Sequence, residues 1–194
     1  MKFLGKKKGS SIVADGIRYN SKSGNEELRT RLIKEQSGFC AYTEKYIEPL
    51  DSVDVDHFDP RKKDTPEDGY TNWYAVLHKQ NQKRPRKIES HLPLPNPAHP
   101  QMTGTIEFLA GQFVPVDEKD VETRNLIKWL GLDSFALLKQ IQNHLSRIKF
   151  LRAQKQEEEF LKYLNEHPRE LSFISALETE LNLKLVNLIP NPEI

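Results

Sequence analysis

Hydrophobic and polar positions first follow a helical period in residues 25–38. Leu28, Leu32 and Ile33 fall on one face of this segment, and Glu26 and Glu27 follow Asn25 at its start. Asparagine favours the N-cap position, and acids in the first turn suit the positive end of the helix dipole. The pattern therefore predicts a helix that begins after Asn25 and stops before the next glycine.

The next segments have the composition and the spacing of strands. Residues 39–47 are rich in aromatic side chains and are predicted to be extended. In the segment that follows, Val53 and Val55 alternate with polar residues, which predicts a short strand. We expect the two strands to pair as a hairpin around "EPLD". Residues 59–71 contain two prolines and a glycine and are predicted to form a loop.

A second helical pattern covers residues 72–84. Asn72 suits an N-cap, and Trp73, Val76 and Leu77 follow at helical spacing. The predicted order is therefore strand, strand, loop and helix.

The rest of the chain predicts a small hairpin followed by helices. Apolar residues flank Ala110 and Gly111, where we expect a tight turn. Helical spacing then covers residues 118–130, continues from Asp133 to about Leu164, and resumes at Pro168. The expected fold class is α+β, with a ββα core, a small β-hairpin and a helical C-terminal half.

Four regions are expected on this basis. They are a basic N-terminal segment at 1–23, a core at 24–90, a linker and hairpin at 91–117, and a helical region at 118–194.

Composition narrows the class of protein. The chain has 194 residues, of which 37 % are hydrophobic and 29 % are charged, which fits a soluble folded protein rather than a disordered one. No apolar run is long enough to cross a bilayer, and the basic N-terminus lacks the apolar stretch of a secretory signal. The single cysteine, Cys40, excludes a disulfide within the chain. We expect a cytoplasmic protein without a membrane partner.

Charge is unevenly distributed although the formal net charge is only +1. Lysines and arginines concentrate in residues 1–10 and 61–89, whereas acids concentrate in the C-terminal third. A basic front half suits a polyanionic partner, and an ordinary solvated surface is the alternative.

The stretch "DVDHFDP" indicates possible catalytic chemistry because it surrounds one histidine with three carboxylates. Hydrolysis of a phosphodiester needs a base for the attacking water, and a divalent cation can stabilise the developing charge. His57 can supply the base and Asp56 a carboxylate ligand, while Asn81 can offer a second oxygen to Mg²⁺ or Mn²⁺. The structural alternative is a surface histidine in a salt-bridged turn.

This pattern of Asp-His followed by two asparagines nine residues apart resembles the HNH endonuclease family, which has a ββα-metal motif. The resemblance implies that Asp56 and Asn81 hold one Mg²⁺ or Mn²⁺ ion and that His57 is the general base. It implies that Asn72 holds the loop bearing His57 through hydrogen bonds to the backbone. The implied activity is metal-dependent hydrolysis of DNA, with RNA not excluded.

The chain departs from relatives that carry a structural zinc. Where those relatives have two Cys-x-x-Cys pairs, this chain has Cys40 followed by Thr43, and then Leu77 and Gln80. With one thiolate in four positions a structural zinc is not expected, and apolar packing must replace it. The loss also favours an alternative, a degenerate ββα module that binds nucleic acid or docks onto a partner without cutting.

The resemblance extends more loosely over residues 24–150. This region is similar to HNH nuclease subunits of Septu-type and retron-associated anti-phage defence systems. The resemblance implies a role as the nuclease effector of a defence system and a partner ATPase. The leucine-rich C-terminal helices are expected to form core, or a surface for a partner or a second copy.

Several further residues are candidates for the site. His78 could replace Asn81 as a ligand or contact phosphate, although an exposed helix histidine is the simpler interpretation. Glu44 matches an acidic position of the relatives and could support the site. Cations near the motif are expected to contact phosphates without reading bases. These cations are the 61–63 cluster of Arg61, Lys62 and Lys63, together with Lys79, Lys83 and Arg84.

Overall fold

Two antiparallel strand pairs and a set of helices make up the fold, which is α+β as predicted. It was obtained as a computed structural model that describes residues 1–22, 24–99, 102 and 104–190. The α-helices are α1 (Ser11–Ala14), α2 (Glu26–Glu35), α3 (His78–Lys83), α4 (Val121–Trp129), α5 (Phe135–Ala153), α6 (Glu157–Glu166) and α7 (Ile174–Leu181). The strands are β1 (Val53–His57), β2 (Trp73–Leu77), β3 (Ile106–Leu109) and β4 (Gln112–Pro115).

Strands β1 and β2 pair with each other and lead directly into α3, which gives a ββα unit. The register places His57 opposite Trp73 and Asp56 opposite Tyr74. Because side chains alternate along a strand, His57 and the two valines of β1 lie on one face and its aspartates on the other. The valine face packs on α1 and α2 through a cluster that includes Trp73 and Leu28.

The prediction of a helix over residues 72–84 was wrong for its first half. Trp73, Tyr74, Ala75 and Val76 are all buried, and they form β2 rather than a helical turn. A helix would have exposed part of this run, whereas a strand covered on both faces buries every side chain. Aromatic and β-branched residues also favour strands. The helix begins only at His78.

The predicted strand at residues 39–47 was also wrong, together with its hairpin. The segment makes one isolated bridge, between Phe39 and Tyr46, around a tight turn in which Glu44 has a left-handed backbone with φ of 59°. The Cys40 N–H donates to the carbonyl of Lys45 and closes this turn. The partner of β1 is therefore β2, which comes after the loop.

The C-terminal half follows the predicted order. Strands β3 and β4 form the expected hairpin, and Ala110 and Gly111 turn it with positive φ angles of 50° and 81°. The long helix expected from Asp133 to Leu164 is instead two helices, α5 and α6. Pro168 begins a short 3₁₀ turn that precedes α7.

One large apolar cluster joins the four regions expected from the sequence. It contains Phe3 and Leu4 from the N-terminal segment, Tyr74 from β2, Phe108 from the hairpin and Trp129 from α4. The sheet of β1 and β2 thus lies between this cluster and the smaller one beneath α2. Among the helices of the described residues, none combines the length and apolar character needed to cross a membrane.

Packing and hydrogen bonds occupy the positions where the resemblance would place zinc ligands. Cys40 is buried, and its Sγ accepts a hydrogen bond from the Leu77 N–H at 3.5 Å. The Gln80 side chain donates to the carbonyl of Leu130 at 3.1 Å and so joins α3 to the end of α4. Direct contacts therefore link the segments at these positions.

The N-terminal segment places an ammonium group inside the protein. Lys6 Nζ lies 3.7 Å from the centre of the Tyr74 ring and 4.6 Å from that of Tyr70, and it donates to the Trp73 carbonyl. Burial lowers the pKa of Lys6 to about 7, although Glu35 opposes the shift. The segment is thereby tied to the start of β2.

We expect the free energy of unfolding to rise with pH because of Lys6. Above pH 7 the folded chain releases the Lys6 proton, whereas the unfolded chain keeps it up to the ordinary lysine pKa of 10.5. The unfolded state then binds more protons, so stability increases with pH in this window. Urea unfolding from about pH 6 to about pH 9 should show that wild type gains stability relative to Lys6→Met. Lys8→Met, which alters an exposed lysine, should leave the wild-type pH dependence of stability unchanged. If Lys6→Met gained as much stability with rising pH as wild type does, the effect could not be assigned to Lys6.

Candidate active site

A cleft of about 440 Å³ runs along the free edge of β1. Among the described residues, strand β1 pairs only with β2, so its other edge is open and side chains from both faces can border the same space. This geometry brings Asp56 and His57 to one cleft although they point to opposite sides of the strand. The cleft is lined by Tyr19, Asn25, Arg29, Val53, Asp54, Val55, Asp56, His57, Pro60, Lys63, Asn81 and Arg84.

His57 is held in one orientation by a carboxylate. Its side chain is 6 % exposed, and its Nε2 lies 3.0 Å from Oδ2 of Asp68. The Tyr19 ring packs edge-on against the imidazole at 4.5 Å between centroids. Among the residues that the structure describes, none hydrogen-bonds to Nδ1 of His57. The pair therefore leaves Nδ1 as the nitrogen that can accept a proton.

Asp68 is a site residue that the sequence analysis missed. Its Oδ1 accepts a hydrogen bond from Trp73 Nε1 at 2.6 Å, while its Oδ2 contacts His57. Because His57 and Trp73 are opposite each other across the strand pair, one carboxylate reaches both. In the sequence nothing separates Asp68 from the other acids of its loop, Asp64 and Glu67.

Asn72 joins the loop after His57 to the start of β2. Its Oδ1 accepts from the Asp59 N–H at 2.8 Å, and its Nδ2 donates to the Asp59 carbonyl at 3.1 Å. Both groups are buried, so the amide satisfies a donor and an acceptor that water does not reach. These are backbone hydrogen bonds of the kind that the resemblance implies for Asn72; a contribution to catalysis stays a prediction.

Asp56 is enclosed in an internal ion pair. Its side chain is 12 % exposed, and its Oδ2 accepts from the Tyr42 hydroxyl at 2.5 Å and from Arg84. Burial raises the pKa of Asp56, and Arg84 and the Tyr42 hydrogen bond oppose that rise. Burial, with Asp56 adding to it, also raises the pKa of Tyr42.

Arg84 lies in the protein interior rather than on a phosphate-binding surface. Its guanidinium packs 4.2 Å from the centre of the Trp129 ring and donates to Tyr42 at 2.9 Å and to the His57 carbonyl at 3.3 Å. The Trp129 Nε1 donates to the next carbonyl, that of Phe58, at 3.0 Å. Arg84 and Trp129 therefore fix the end of β1 directly behind His57.

A second group of polar side chains lies on the aspartate face of β1. Asp54 accepts from the Asn81 Nδ2 at 2.9 Å, and His78 Nδ1 lies 2.9 Å and 3.0 Å from its two carboxylate oxygens. These contacts tie β1 to α3, and they bring Asn81 beside Asp54.

The other predicted residues are more widely spread. Glu44 is buried away from the cleft, where its carboxylate accepts from the Lys2 N–H and from the N–H and hydroxyl of Ser175. Arg61 pairs with Asp59, which lowers the pKa of that carboxyl.

The predicted phosphate contacts divide between two surfaces. Lys62 lies 3.8 Å from Glu67, and Lys79 and Lys83 line a separate cavity of about 370 Å³. The cleft itself takes its remaining cations from Arg29 and Lys63, of which Arg29 was absent from the prediction.

The oxygen and nitrogen donors around β1 suit a hard divalent cation. Among the described residues, no group of three or more His, Cys, Asp and Glu side chains is placed to hold a metal ion. However, Mg²⁺ commonly takes one or two carboxylates and completes its shell with water and phosphate oxygens. The aspartates of β1 and the amide oxygen of Asn81 fit that smaller requirement.

No family model, curated protein or solved structure matches this chain. A function is therefore inferred from the geometry of the cleft and from the residue pattern.

Replacing Arg84 should destabilise the protein. Arg84→Met leaves the Asp56 carboxylate buried without its counter-charge, which costs about 3–5 kcal/mol in the free energy of unfolding. Exposed Arg86→Met should cost less than about 0.5 kcal/mol. Without Arg84 the pKa of Asp56 rises further, so the folded state retains a proton that the unfolded state has lost. Since stability then falls as pH rises, the deficit should grow from about pH 4 to about pH 7. A deficit independent of pH would contradict the internal pair.

Proposed function

We propose that this chain is a metal-dependent endonuclease that hydrolyses DNA phosphodiester bonds, with His57 as the general base. The observation that carries the proposal is the Asp68–His57 pair at a cleft bordered by carboxylates and an amide. A base of this kind must be oriented, partly buried and open at one nitrogen. The other contacts of the cleft support the same chemistry.

His57 would accept the proton of the attacking water at Nδ1. Asp68 holds Nε2 at 3.0 Å, which orients the ring and stabilises the imidazolium that forms. Asn72 and Arg84 restrain the backbone on either side of the end of β1, and so they act by positioning.

A divalent cation, when bound, would supply charge stabilisation at the leaving oxygen. Its protein ligands would be Asn81 and a carboxylate of β1, either the expected Asp56 or its neighbour Asp54, with Mg²⁺ or Mn²⁺ as the ion. Arg29 and Lys63 at the cleft, with Arg61 and Lys62 nearby, would hold the phosphate backbone without reading bases.

A second function is favoured by the enclosure of Asp56. Arg84 and Tyr42 already satisfy one carboxylate oxygen, as expected of a residue that has become structural. The alternative is a degenerate ββα module that binds nucleic acid, or docks onto an ATPase, without cutting. Binding of DNA with no cleavage would favour it.

The proposed setting is an anti-phage defence system in which this chain is the nuclease effector beside an ATPase. Its support is the resemblance of residues 24–150. Under this proposal the exposed side chains of the C-terminal helices are available to a partner.

Removing the imidazole should abolish most of the activity. We expect His57→Ala to nick supercoiled plasmid about 10²- to 10⁴-fold more slowly than wild type with Mg²⁺ or Mn²⁺. EDTA should stop wild-type cleavage. His91→Ala, which removes a half-buried histidine outside the cleft, should cut at the wild-type rate. Wild-type activity in His57→Ala would show that His57 is not the general base.

Asp68 should affect turnover more than binding. Asp68→Asn keeps the shape of the side chain but loses its charge, so kcat should fall about 10²-fold while KM stays near the wild-type value. Its matched control is Asp64→Asn, an exposed acid of the same loop. If both variants lost kcat equally, a loop defect rather than orientation of His57 would be the cause.

A further inference from the structure

The donor cluster beside the cleft differs from the ligand pair that the sequence pattern predicts. The Asp54 carboxylate lies within 3.0 Å of both the His78 imidazole and the Asn81 amide. Their side chains are accessible, with 33 % of Asp54 and 44 % of His78 exposed. The three also line a neighbouring cleft of about 400 Å³, so solvent and a ligand can reach them.

Asp56 is less able to serve as a ligand. Its Oδ2 is bound by Tyr42 and Arg84, and the Arg84 guanidinium is buried. Turning this carboxylate toward a cation would leave a buried guanidinium without its counter-charge, which is strongly unfavourable. Turning Asp54 toward a cation would leave no buried charge unpaired, because its partners His78 and Asn81 are themselves potential ligands.

We propose that Asp54, His78 and Asn81 are the protein ligands of a divalent first-row transition cation, with Asp56 as a structural residue. The inference rests on the proposed function for its catalytic meaning. The required change is small: the Asn81 amide turns its oxygen inward, and His78 Nδ1 binds as the neutral imidazole. One imidazole among oxygen donors favours Mn²⁺ over Mg²⁺.

The competing explanation is that these contacts only tie β1 to α3. A tether needs no cation, whereas a metal site predicts binding that depends on each ligand. Measurements of binding separate the two without any measurement of cleavage.

The test is a titration of the full chain with Mn²⁺, in which binding is measured by calorimetry and by electron paramagnetic resonance. Asp54→Asn and His78→Gln should each weaken Mn²⁺ binding at least about tenfold. The control is His91→Gln, which should bind Mn²⁺ as wild type does. Asp56→Asn should keep the Mn²⁺ site, although it is less stable because it removes the counter-charge of Arg84. Thermal melts of all four variants establish that each is folded.

A spectroscopic readout identifies the imidazole directly. Pulsed paramagnetic resonance of the Mn²⁺-loaded chain should show coupling to ¹⁴N that disappears in His78→Gln and persists in His91→Gln. Mg²⁺ should compete for the wild-type site only at concentrations at least about tenfold above those of Mn²⁺.

Three results would overturn the inference. They are the absence of a Mn²⁺ site in wild type, binding that survives Asp54→Asn but is lost in Asp56→Asn, and ¹⁴N coupling that His78→Gln leaves unchanged. If Mn²⁺ binding required Asp56 rather than Asp54 and cleavage still required His57, this ligand set would be refuted but the proposed nuclease function would stand. If Mn²⁺ binding required Asp54 and His78 but the chain did not cut DNA, the ligand set would stand and the nuclease function would be refuted.

Discussion

The antiparallel register of β1 on β2 is the constraint on which the candidate site depends. It places His57 opposite Trp73, so that the single carboxylate of Asp68 can bind both rings. The same register turns Asp54 and Asp56 to the other face, toward α3 and Arg84. A slip by one residue would exchange these faces and separate His57 from Asp68.

Side-chain hydrogen bonds hold this strand pair in place. Asn72 bonds to both backbone groups of Asp59, and Arg84 binds the end of β1 from the interior. Gln80 and Cys40 join α3 to its surroundings. Buried donors and acceptors that are all paired specify one arrangement, since an unpaired one is costly.

Local patterns in the sequence correctly predicted the elements whose formation depends on interactions between residues close in sequence. The helix after Asn25 and the hairpin at Ala110 follow from spacing and turn chemistry. β2 was missed because Trp73 to Leu77 fit a helical spacing, and only burial on both faces of the sheet selects a strand. Asp68 was missed because its role depends on a strand register that the sequence does not display. Asn81 and His57 were proposed from their pattern, but the partners of Asp54 and Asp56 require the fold.

The proposed chemistry requires that Asp68 fixes His57 so that Nδ1 is free to accept a proton. Long-range ¹H–¹⁵N NMR of protein with ¹⁵N-labelled histidine identifies the tautomer directly. The His57 signals are assigned by their absence from the spectrum of His57→Ala. With the imidazole neutral, we expect a proton on Nε2 and a bare Nδ1, and a loss of this preference in Asp68→Asn. A neutral His57 that carries its proton on Nδ1 in the wild-type protein would rule out this role of Asp68.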